Sequence, residues 1–315
     1  MFPPIVHHPD YDAPLPPGTR FPMGKYKALK AILEQEGYCS GFAEPTPATA
    51  AQLNRAHDPA YVEAVFAQTV APAIVRRIGL PVTEAVARRA AAATGGTIKT
   101  AELALDHGLA CNTAGGSHHA AWDGGAGFCV FNDVATAAYA MLDQRRASRI
   151  LVVDLDVHQG DGTAKIFAEE PAVFTFSMHA EKNYPSRKAV SDLDVALPCG
   201  TSDEAYLGLL KAILPQLFEQ HRPDLVFYIA GVDPHEDDAL GRLRLSREGL
   251  FARDLYVVET ARTHRAALAG VLGGGYGQDE KAIADLHAQL HRAAAQAWAT
   301  GSTPSPVWNM HPLSI

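Results

Sequence analysis

One short segment of the chain concentrates acidic and imidazole side chains. It reads DLDVHQGDG from Asp154 to Gly162 and directly follows the apolar run 150–153. Side chains two residues apart on an extended strand face the same way, so we expect Asp154, Asp156 and His158 to converge. Burying several like charges side by side costs more than the net stability of a domain unless a cation or protons neutralise them. The segment therefore predicts a bound metal ion.

Three further polar clusters follow apolar, β-rich runs. They are GGSHH at 115–119, AGVD at 230–233 and GGGY at 273–276. In open α/β sheets ligands bind beyond the carboxyl ends of the strands, so these loops and the acidic segment can meet at one rim. A glycine-rich strand end taken alone is often only a tight turn. The coincidence of all four favours a shared site.

Two aspartates and one histidine supply ligands of the kind that catalytic zinc sites use. Asp156, His158 and Asp233 would hold the ion and leave one position open for water and substrate. Because neighbouring side chains diverge, we expect His118 and His119 to form a polar wall beside the metal rather than to bind it. One of them could then act as a general base.

Two more carboxylates and a tyrosine complete the constellation. Asp154 and Asp161 can accept the outer N–H of each imidazole, which fixes its tautomer and raises its basicity. Tyr276 follows three glycines that let the backbone pass close to the site, and its hydroxyl can point at a substrate oxygen. A zinc ion and a phenol on one carbonyl oxygen would stabilise an oxyanion, so the predicted reaction is amide hydrolysis. Taken alone, without the other loops, Tyr276 would be better explained as a core aromatic after a flexible turn.

The composition is that of a compact enzyme with a large core. Of the 315 residues 47% are hydrophobic and 20% charged, and no linker or repeat divides them, so we expect a single domain over 1–315. The net charge of −8 argues against direct nucleic-acid binding, which needs clustered Lys and Arg. The absence of a signal peptide and of a membrane-spanning run predicts a cytoplasmic protein. The four cysteines lack CxxC spacing, so we expect buried free thiols. The sequence makes no prediction of oligomeric state.

Apolar, β-rich runs alternate with helix-length segments along the chain. Strands are predicted at 110–113, 150–153, 173–177, 225–230 and 269–272. Helices are predicted at 22–36, 84–106, 131–146, 202–220, 246–264 and 279–298, with caps at Ser202 and Ser246. Continuous apolar strands that alternate with helices indicate burial on both faces. The predicted fold is α/β, with a central, mostly parallel sheet flanked by helices.

Two further patterns predict solvated helix surfaces. His287 and His291 lie one helical turn apart but have no third ligand nearby, so they indicate an exposed helix face rather than a metal site. The basic pair Arg88 and Arg89 is likewise predicted to face solvent.

With GGSHHA, DLDVHQGDG, AGVDPHEDD and GGGY in this order, the chain resembles the zinc-dependent histone deacetylase family of the arginase-deacetylase fold. DVHQGDGT followed by MHAEKNYPSRK is most similar to its class IV and related bacterial members. The resemblance implies one Zn²⁺ on the three ligands named above, with His119 as general base and then general acid. His118 would assist electrostatically, Asp154 and Asp161 would support the two imidazoles, and Tyr276 would polarise the substrate carbonyl.

The same resemblance implies an acyl tunnel and a structural monovalent-cation site. The tunnel residues would be Phe128, Tyr184, Gly127, Leu240 and Gly274. A K⁺ ion would be bound at Asp154, Asp156, His158, Ser177 and Met178, through backbone carbonyls and the serine hydroxyl.

The implied substrate is an N-epsilon-acyl-lysine or another small acylated amine, with an acetyl or longer acyl group. Polyamine-preferring relatives carry a glutamate where this chain has Leu240, which disfavours an acetylpolyamine but leaves it open. A two-metal ureohydrolase is disfavoured because Gly160 stands where a further carboxylate is needed. A non-catalytic module that binds acylated ligands also stays open, although binding alone would not require His118, His119 and Tyr276.

Overall fold

A parallel β-sheet forms the centre of the structure, a computed structural model that describes residues 2–38 and 41–300. Its strands are β1 (Ile5–Val6), β2 (Leu109–Asn112), β3 (Ile150–Asp154), β4 (Val173–Ala180), β5 (Leu193–Leu197), β6 (Leu225–Ile229) and β7 (Ala267–Val271). Their order in the sheet is β1-β2-β7-β6-β3-β4-β5, and every pair is parallel. The predicted α/β fold with one central sheet is confirmed.

Ten α-helices surround this sheet within the described residues. They are α1 (Lys25–Gln35), α2 (Ala50–Leu53), α3 (Pro59–Phe66), α4 (Pro72–Ile78), α5 (Glu84–His107), α6 (Asp133–Asp143), α7 (Asp161–Phe167), α8 (Asp203–His221), α9 (Arg247–Thr263) and α10 (Glu280–Thr300). Helix α5 packs on α6 and on strands β2 and β7, while α10 packs on α9 and α1. Every residue of β3, β6 and β7 is buried, as expected for strands covered on both faces.

The strand order brings four loops to one edge of the sheet. Strands β2 and β3 are consecutive among the predicted strands, but β7 and β6 lie between them in the sheet. The carboxyl ends of β2, β7, β6 and β3 therefore lie side by side, where ligands bind in open α/β sheets. The loops that follow these four strands carry the four polar clusters of the sequence.

The two outermost strands were not predicted. Strand β1 has only two residues, and β5 reads LDVAL with four of its five residues partly or fully exposed at the sheet edge. Strand β5 forms no continuous apolar run, because an edge strand is covered less completely than a central one, whereas the buried β1 is too short to give a strand signal. At the helix starts, the Ser246 side chain accepts the N–H of Gly249 as a cap should, whereas Ser202 precedes α8 without a side-chain hydrogen bond.

Two cysteines behave as expected and one does not. Cys111 and Cys129 are buried free thiols, whereas Cys199 is exposed. Cys39 and the last 15 positions of the predicted domain, 301–315, lie outside the described residues. Among the helices that are described, none has the length and apolarity needed to cross a bilayer.

Candidate metal centre and catalytic site

Asp156, His158 and Asp233 meet in one buried cluster. One ligand atom of each lies within 4.8 Å of the other two, and no other group of this kind is found in residues 2–38 and 41–300. Nδ1 of His158 is 3.1 Å from Oδ1 of Asp156 and 3.0 Å from Oδ2 of Asp233. Two carboxylates that converge on one imidazole nitrogen form a ligand set that catalytic zinc sites use.

The buried negative charge of this cluster has to be offset by a proton or a cation. Burial, together with the negative charge of Asp156, raises the pKa of Asp233 to about 7. Burial would lower the pKa of His158, but hydrogen bonds to the two carboxylates outweigh it and raise that pKa to about 10. In the metal-free protein a proton on His158 therefore offsets the buried carboxylates. A divalent ion can take the place of that proton, so the donors, their burial and their charge fit Zn²⁺.

The end of β3 separates Asp154 from the metal triad. The strand stops at Asp154, whose carboxylate accepts the backbone N–H of Asp156 at 3.1 Å. The Asp156 carboxylate in turn accepts the N–H of His158 at 2.9 Å. These two aspartate turns change the direction of the chain after β3. The expectation that strand alternation alone would bring all three side chains to one point was therefore wrong, because only Asp156 and His158 join the triad.

His118 and His119 lie side by side next to the triad. Their ring centroids are 4.2 Å apart, so the expectation that these neighbours diverge was wrong in this irregular loop. Nδ1 of His118 is 2.7 Å from Oδ2 of Asp154, and Nδ1 of His119 is 2.8 Å from Oδ1 of Asp161. The structure thus brings each imidazole to the carboxylate that the sequence analysis assigned to it.

The two imidazoles have opposite pKa shifts in the metal-free protein. Burial lowers the pKa of His118, but the charges of Asp154 and Asp156 outweigh burial and raise it to about 9. For His119, burial and the positive charge of His118 lower the pKa to about 3. At neutral pH His118 is therefore cationic and His119 neutral. Only a neutral imidazole can accept a proton, so in this protonation state His119 could act as a base and His118 could not.

Tyr276 lines the same cavity as the histidine pair. The volume of this cavity is about 20 Å³, which is room for about one water molecule. The Tyr276 ring centroid lies 6.1 Å from that of His158 and 5.6 Å from that of Phe128. Burial, together with the charges of Asp233 and its neighbours, raises the pKa of Tyr276 well above its usual value. The phenol therefore keeps its proton and can donate a hydrogen bond.

Two aromatic rings and a glycine lie near His119. Tyr184 is 42% exposed and sets its ring edge-on against that of His119, with 4.8 Å between the centroids. A Cβ atom on Gly127 would lie 2.4 Å from Cδ2 of His119, so this close approach requires glycine. Gly127 and Phe128 line the cavity together with the histidine pair, and Tyr184 packs on His119.

The other two predicted tunnel residues lie beside the triad and at the mouth. The Gly274 N–H donates to Oδ2 of Asp156 at 2.6 Å, and a Cβ there would lie 1.9 Å from Oδ2 of Asp233. Leu240 and Tyr276 both line an open groove of about 1,040 Å³ outside the cavity. The Leu240 carbonyl accepts the side-chain amide of Asn183 at 2.7 Å, which fixes the loop at this groove.

The residues expected to bind K⁺ also come together. Asp154 pairs with Ser177 in the ladder between β3 and β4, and Met178 follows on the same strand. Oγ of Ser177 lies 2.9 Å from Nδ1 of the buried His179. The strand pairing accounts for the placement, and the K⁺ ion itself stays a prediction.

Two residues that support the catalytic loops were missed from the sequence. Lys25 is completely buried, and Nζ donates to the carbonyls of Gly273 and Gly275 at 3.3 and 3.4 Å. A signal was present, because Lys25 stands at i, i+4 and i+8 spacing with apolar Leu29 and Leu33 on α1.

The second missed residue is Asp133 at the start of α6. Its carboxylate accepts the backbone N–H groups of Gly116 at 3.0 Å and Ser117 at 2.7 Å. It therefore holds the segment that leads directly into the histidine pair. A polar residue in the first turn of a helix is too common a pattern to indicate such a contact.

Three side chains that were predicted at the surface are buried. His287 and His291 are 1% and 2% exposed, and within the described part of the chain none of their ring nitrogens has a hydrogen-bond partner. Arg89 is 7% exposed, and its Nε donates to the carbonyl of Tyr11 at 3.0 Å. Arg88 is exposed as predicted. The solvated-surface prediction was therefore wrong for three of these four residues.

Comparisons with known proteins show which family this chain belongs to. The model of the histone deacetylase domain matches residues 19–293. An uncharacterized protein of Picosynechococcus is 48% identical over 297 residues, which cover 94% of this chain and 99% of that protein. A protein of Methanothermobacter thermautotrophicus named probable deacetylase is 30% identical over 288 residues, covering 86% of this chain and 85% of its own.

More distant relatives include plant proteins. Histone deacetylase 2 of Arabidopsis thaliana is 34% identical over 203 residues, or 63% of this chain, and this match spans about half (52%) of its length. The crystal structure of the HDA15 HD domain superposes with a TM-score of 0.79 at 21% identity, covering 96% of this chain and 91% of that one. At that identity the superposition shows a common fold.

Proposed function

Because this chain belongs to the histone deacetylase family, we propose that it is a zinc-dependent amidohydrolase that removes an acyl group from an N-epsilon-acyl-lysine. The family supports deacetylase chemistry in general. One observation carries the finer proposal, namely that a buried metal-ligand triad, a neutral His119 and a protonated Tyr276 lie at the same site. The acyl group would be acetyl or longer.

The triad of Asp156, His158 and Asp233 would hold the zinc ion. Bound Zn²⁺ would supply Lewis acidity toward the amide carbonyl and lower the pKa of a water molecule. His119 would accept a proton from the attacking water at Nε2, because its Nδ1 already faces Asp161. The same nitrogen would then deliver the proton to the departing amine, which leaves as a neutral lysine side chain.

Tyr276 would stabilise the charge that develops on the carbonyl oxygen. Its raised pKa keeps the hydroxyl protonated, so it can donate a hydrogen bond to that oxygen. A donor of this kind typically contributes about 3 kcal/mol to transition-state stabilisation, because the hydrogen bond strengthens as negative charge forms. Cationic His118, held by Asp154, would add positive charge to the same cavity.

Leu240 favours an acyl-lysine over an acylated polyamine. An apolar side chain at the mouth gives no charge to recognise a second ammonium group, whereas the groove outside it has room for residues that flank a lysine. The His119–Asp161 pair favours an enzyme over a module that only binds acylated ligands, since binding requires no proton relay. A structural K⁺ beside Asp154 and Ser177 remains part of the proposal.

Turnover on a substrate panel tests this function. The panel contains an acetyl-lysine peptide, lysines with longer acyl chains and an acetylated polyamine, with metal content measured on the same protein. We expect zinc-dependent hydrolysis of an acyl-lysine and inhibition by a hydroxamate, which chelates an open metal position. Hydroxamate binding without any turnover would instead indicate a binding module, and turnover of the polyamine alone would indicate a small-amine deacetylase.

A tyrosine variant tests the catalytic assignment. Tyr276→Phe should keep fold and metal but lose roughly 10²–10³ in kcat, because the lost hydrogen bond acts mainly in the transition state. The matched control is Tyr256→Phe on α9. It removes a hydroxyl that donates to the Lys211 carbonyl at 3.4 Å, away from the site. Equal activity of both variants would remove Tyr276 from the mechanism.

A further inference from the structure

Arg253 is a completely buried arginine on α9 that donates to two loops of the site. Its Nη1 donates to the carbonyl of Leu155 at 3.1 Å and to the carbonyl of Gly231 at 2.7 Å. A guanidinium is rarely buried without a specific set of partners, because leaving water costs several kcal/mol. These two carbonyls account for one of its nitrogens.

The two acceptors lie on the segments that carry the proposed metal ligands. Leu155 directly precedes Asp156, and Gly231 lies two residues before Asp233. Both follow the last residues of β3 and β6, where single backbone hydrogen bonds continue the pairing, such as the one from the N–H of Leu155 to the carbonyl of Ile229 at 3.1 Å. The Gly231 backbone also packs closely against the triad, since a Cβ there would lie 2.4 Å from Oδ2 of Asp156. One side chain therefore joins the two loops whose spacing sets the distance between the ligands.

The rest of the guanidinium is anchored to the sheet through its neighbour Asp254. Nε donates to Oδ1 of Asp254 at 2.9 Å, and Nη2 forms an ion pair with the same oxygen at 2.8 Å but makes no hydrogen bond within the described residues. That oxygen also accepts the hydroxyl of Tyr228, on β6, at 2.5 Å. Although burial would lower the pKa of Arg253, the charge of Asp254 raises it above its ordinary value, so the arginine stays charged. The Arg253–Asp254 ion pair thus links α9 to the sheet through Tyr228.

We propose that Arg253 is a positioning residue for the metal centre, which holds the Asp156 and Asp233 loops at the spacing that the ion requires. It touches the backbone of the loops rather than the substrate. The proposal rests on the proposed function, because that function supplies the ion.

Stability alone does not require this ion pair. Replacing a buried ion pair by apolar residues of similar volume often leaves folding stability unchanged or increased. Such a replacement would, however, leave the Leu155 and Gly231 carbonyls without the guanidinium. A test on the metal-free and metal-bound protein can therefore separate folding from metal-site geometry.

The decisive variant is the double change Arg253→Met with Asp254→Leu in the full chain. Zn²⁺ affinity is measured by competition with a chromogenic chelator, and site geometry by the visible absorption of the Co²⁺-substituted protein. We expect the metal-free protein to stay folded with a lowered urea midpoint, because the Leu155 and Gly231 carbonyls and the Tyr228 hydroxyl lose their partners. In the folded variant we expect at least a tenfold loss of Zn²⁺ affinity and an altered Co²⁺ spectrum. Wild-type affinity and spectrum in the folded double variant would overturn the proposal.

A second variant decides the question should the double variant fail to fold. Arg253→Lys keeps the positive charge but has a single nitrogen for the Asp254 carboxylate and the two loop carbonyls. We therefore expect a smaller, severalfold loss of Zn²⁺ affinity. Wild-type affinity in this variant would equally overturn the positioning role. A wild-type protein that binds Zn²⁺ no better than Asp233→Ala would instead contradict the proposed function itself.

Discussion

Nζ of Lys165 lies 2.6 Å from Oδ2 of Asp161, while the other carboxylate oxygen of Asp161 faces Nδ1 of His119 at 2.8 Å. Burial alone would raise the pKa of Asp161, but the hydrogen bonds with His119 and Lys165 hold it below its ordinary value. The lysine lies one helical turn after Asp161 on α7, and its side chain is 54% exposed. A surface cation thus acts on the proposed catalytic imidazole through one shared carboxylate.

Lys165→Met should move the acidic limb of activity to higher pH. Without the lysine, Asp161 stabilises the imidazolium of His119 more strongly, so the pKa of His119 rises and the neutral base is lost at a higher pH. Because the lysine is half exposed, solvent screens it, and we expect a shift of less than about one pH unit. The measurement is kcat/KM against pH, with Lys165→Arg as the control that keeps the charge. An unmoved limb, or one moved to lower pH, would contradict this coupling.

Gly274→Ala should remove the metal while leaving the fold intact. The added Cβ would lie 1.9 Å from Oδ2 of Asp233, which forces this carboxylate out of the triad. We expect Zn²⁺ affinity to fall at least tenfold and activity to fall with it. The control is Gly208→Ala, on the exposed side of α8, where a Cβ meets nothing within 4 Å. Metal content and thermal unfolding of both variants check the prediction, and a Gly274→Ala protein with full zinc content would refute it.

Zinc binding should release about one proton at pH 8. In the metal-free protein the pKa of His158 is about 10, so its imidazole is protonated at pH 8 and must lose that proton to bind an ion. Apparent Zn²⁺ affinity should therefore rise with pH, about tenfold per pH unit for one released proton. Calorimetry in two buffers with different ionisation enthalpies measures the release. Binding heats that do not depend on the buffer would contradict the protonated state.

How far the sequence predicts the site depends on the kind of interaction involved. Buried carboxylates and imidazoles at strand ends are predictable, because burying like charges has few solutions besides a shared cation. The triad of Asp156, His158 and Asp233 follows from that argument together with the sheet topology. The direction of the Asp154 side chain does not follow from it, because that direction depends on the turns that begin where β3 ends.

Contacts between side chains and distant backbone were beyond the sequence argument. Lys25 and Arg253 each donate to carbonyls of loops more than 20 residues away, and a lone basic residue on a helix gives no sign of its partners. The edge strand β5 was missed because it is only partly covered and therefore lacks an apolar run. The central strands were found because burial on both faces leaves a continuous apolar signature.

The histidine pair on α10 shows the same limit and leads to a stability prediction. His287 and His291 follow one another at i, i+4 spacing, and the same spacing fits an exposed face or a buried stripe. In the structure both imidazoles are buried, and neither has a hydrogen-bond partner in the described residues. A buried polar group without a partner costs about 1–3 kcal/mol.

His291→Leu should therefore stabilise the protein and weaken its sensitivity to acid. Burial lowers the pKa of His291 from 6.5 to about 3, so between these pH values the unfolded chain binds a proton that the folded chain does not. The free energy of unfolding then falls by about 1.4 kcal/mol for each pH unit below 6.5, and the leucine variant lacks this loss. At pH 7 we expect the variant to gain about 1–2 kcal/mol from removal of the unpaired polar group. Urea unfolding from pH 7 to pH 5 measures both effects, with His107→Gln, at an exposed position at the end of α5, as the control substitution. Equal pH slopes for the wild type and His291→Leu would mean that His291 titrates alike in the folded and unfolded states, contrary to its burial.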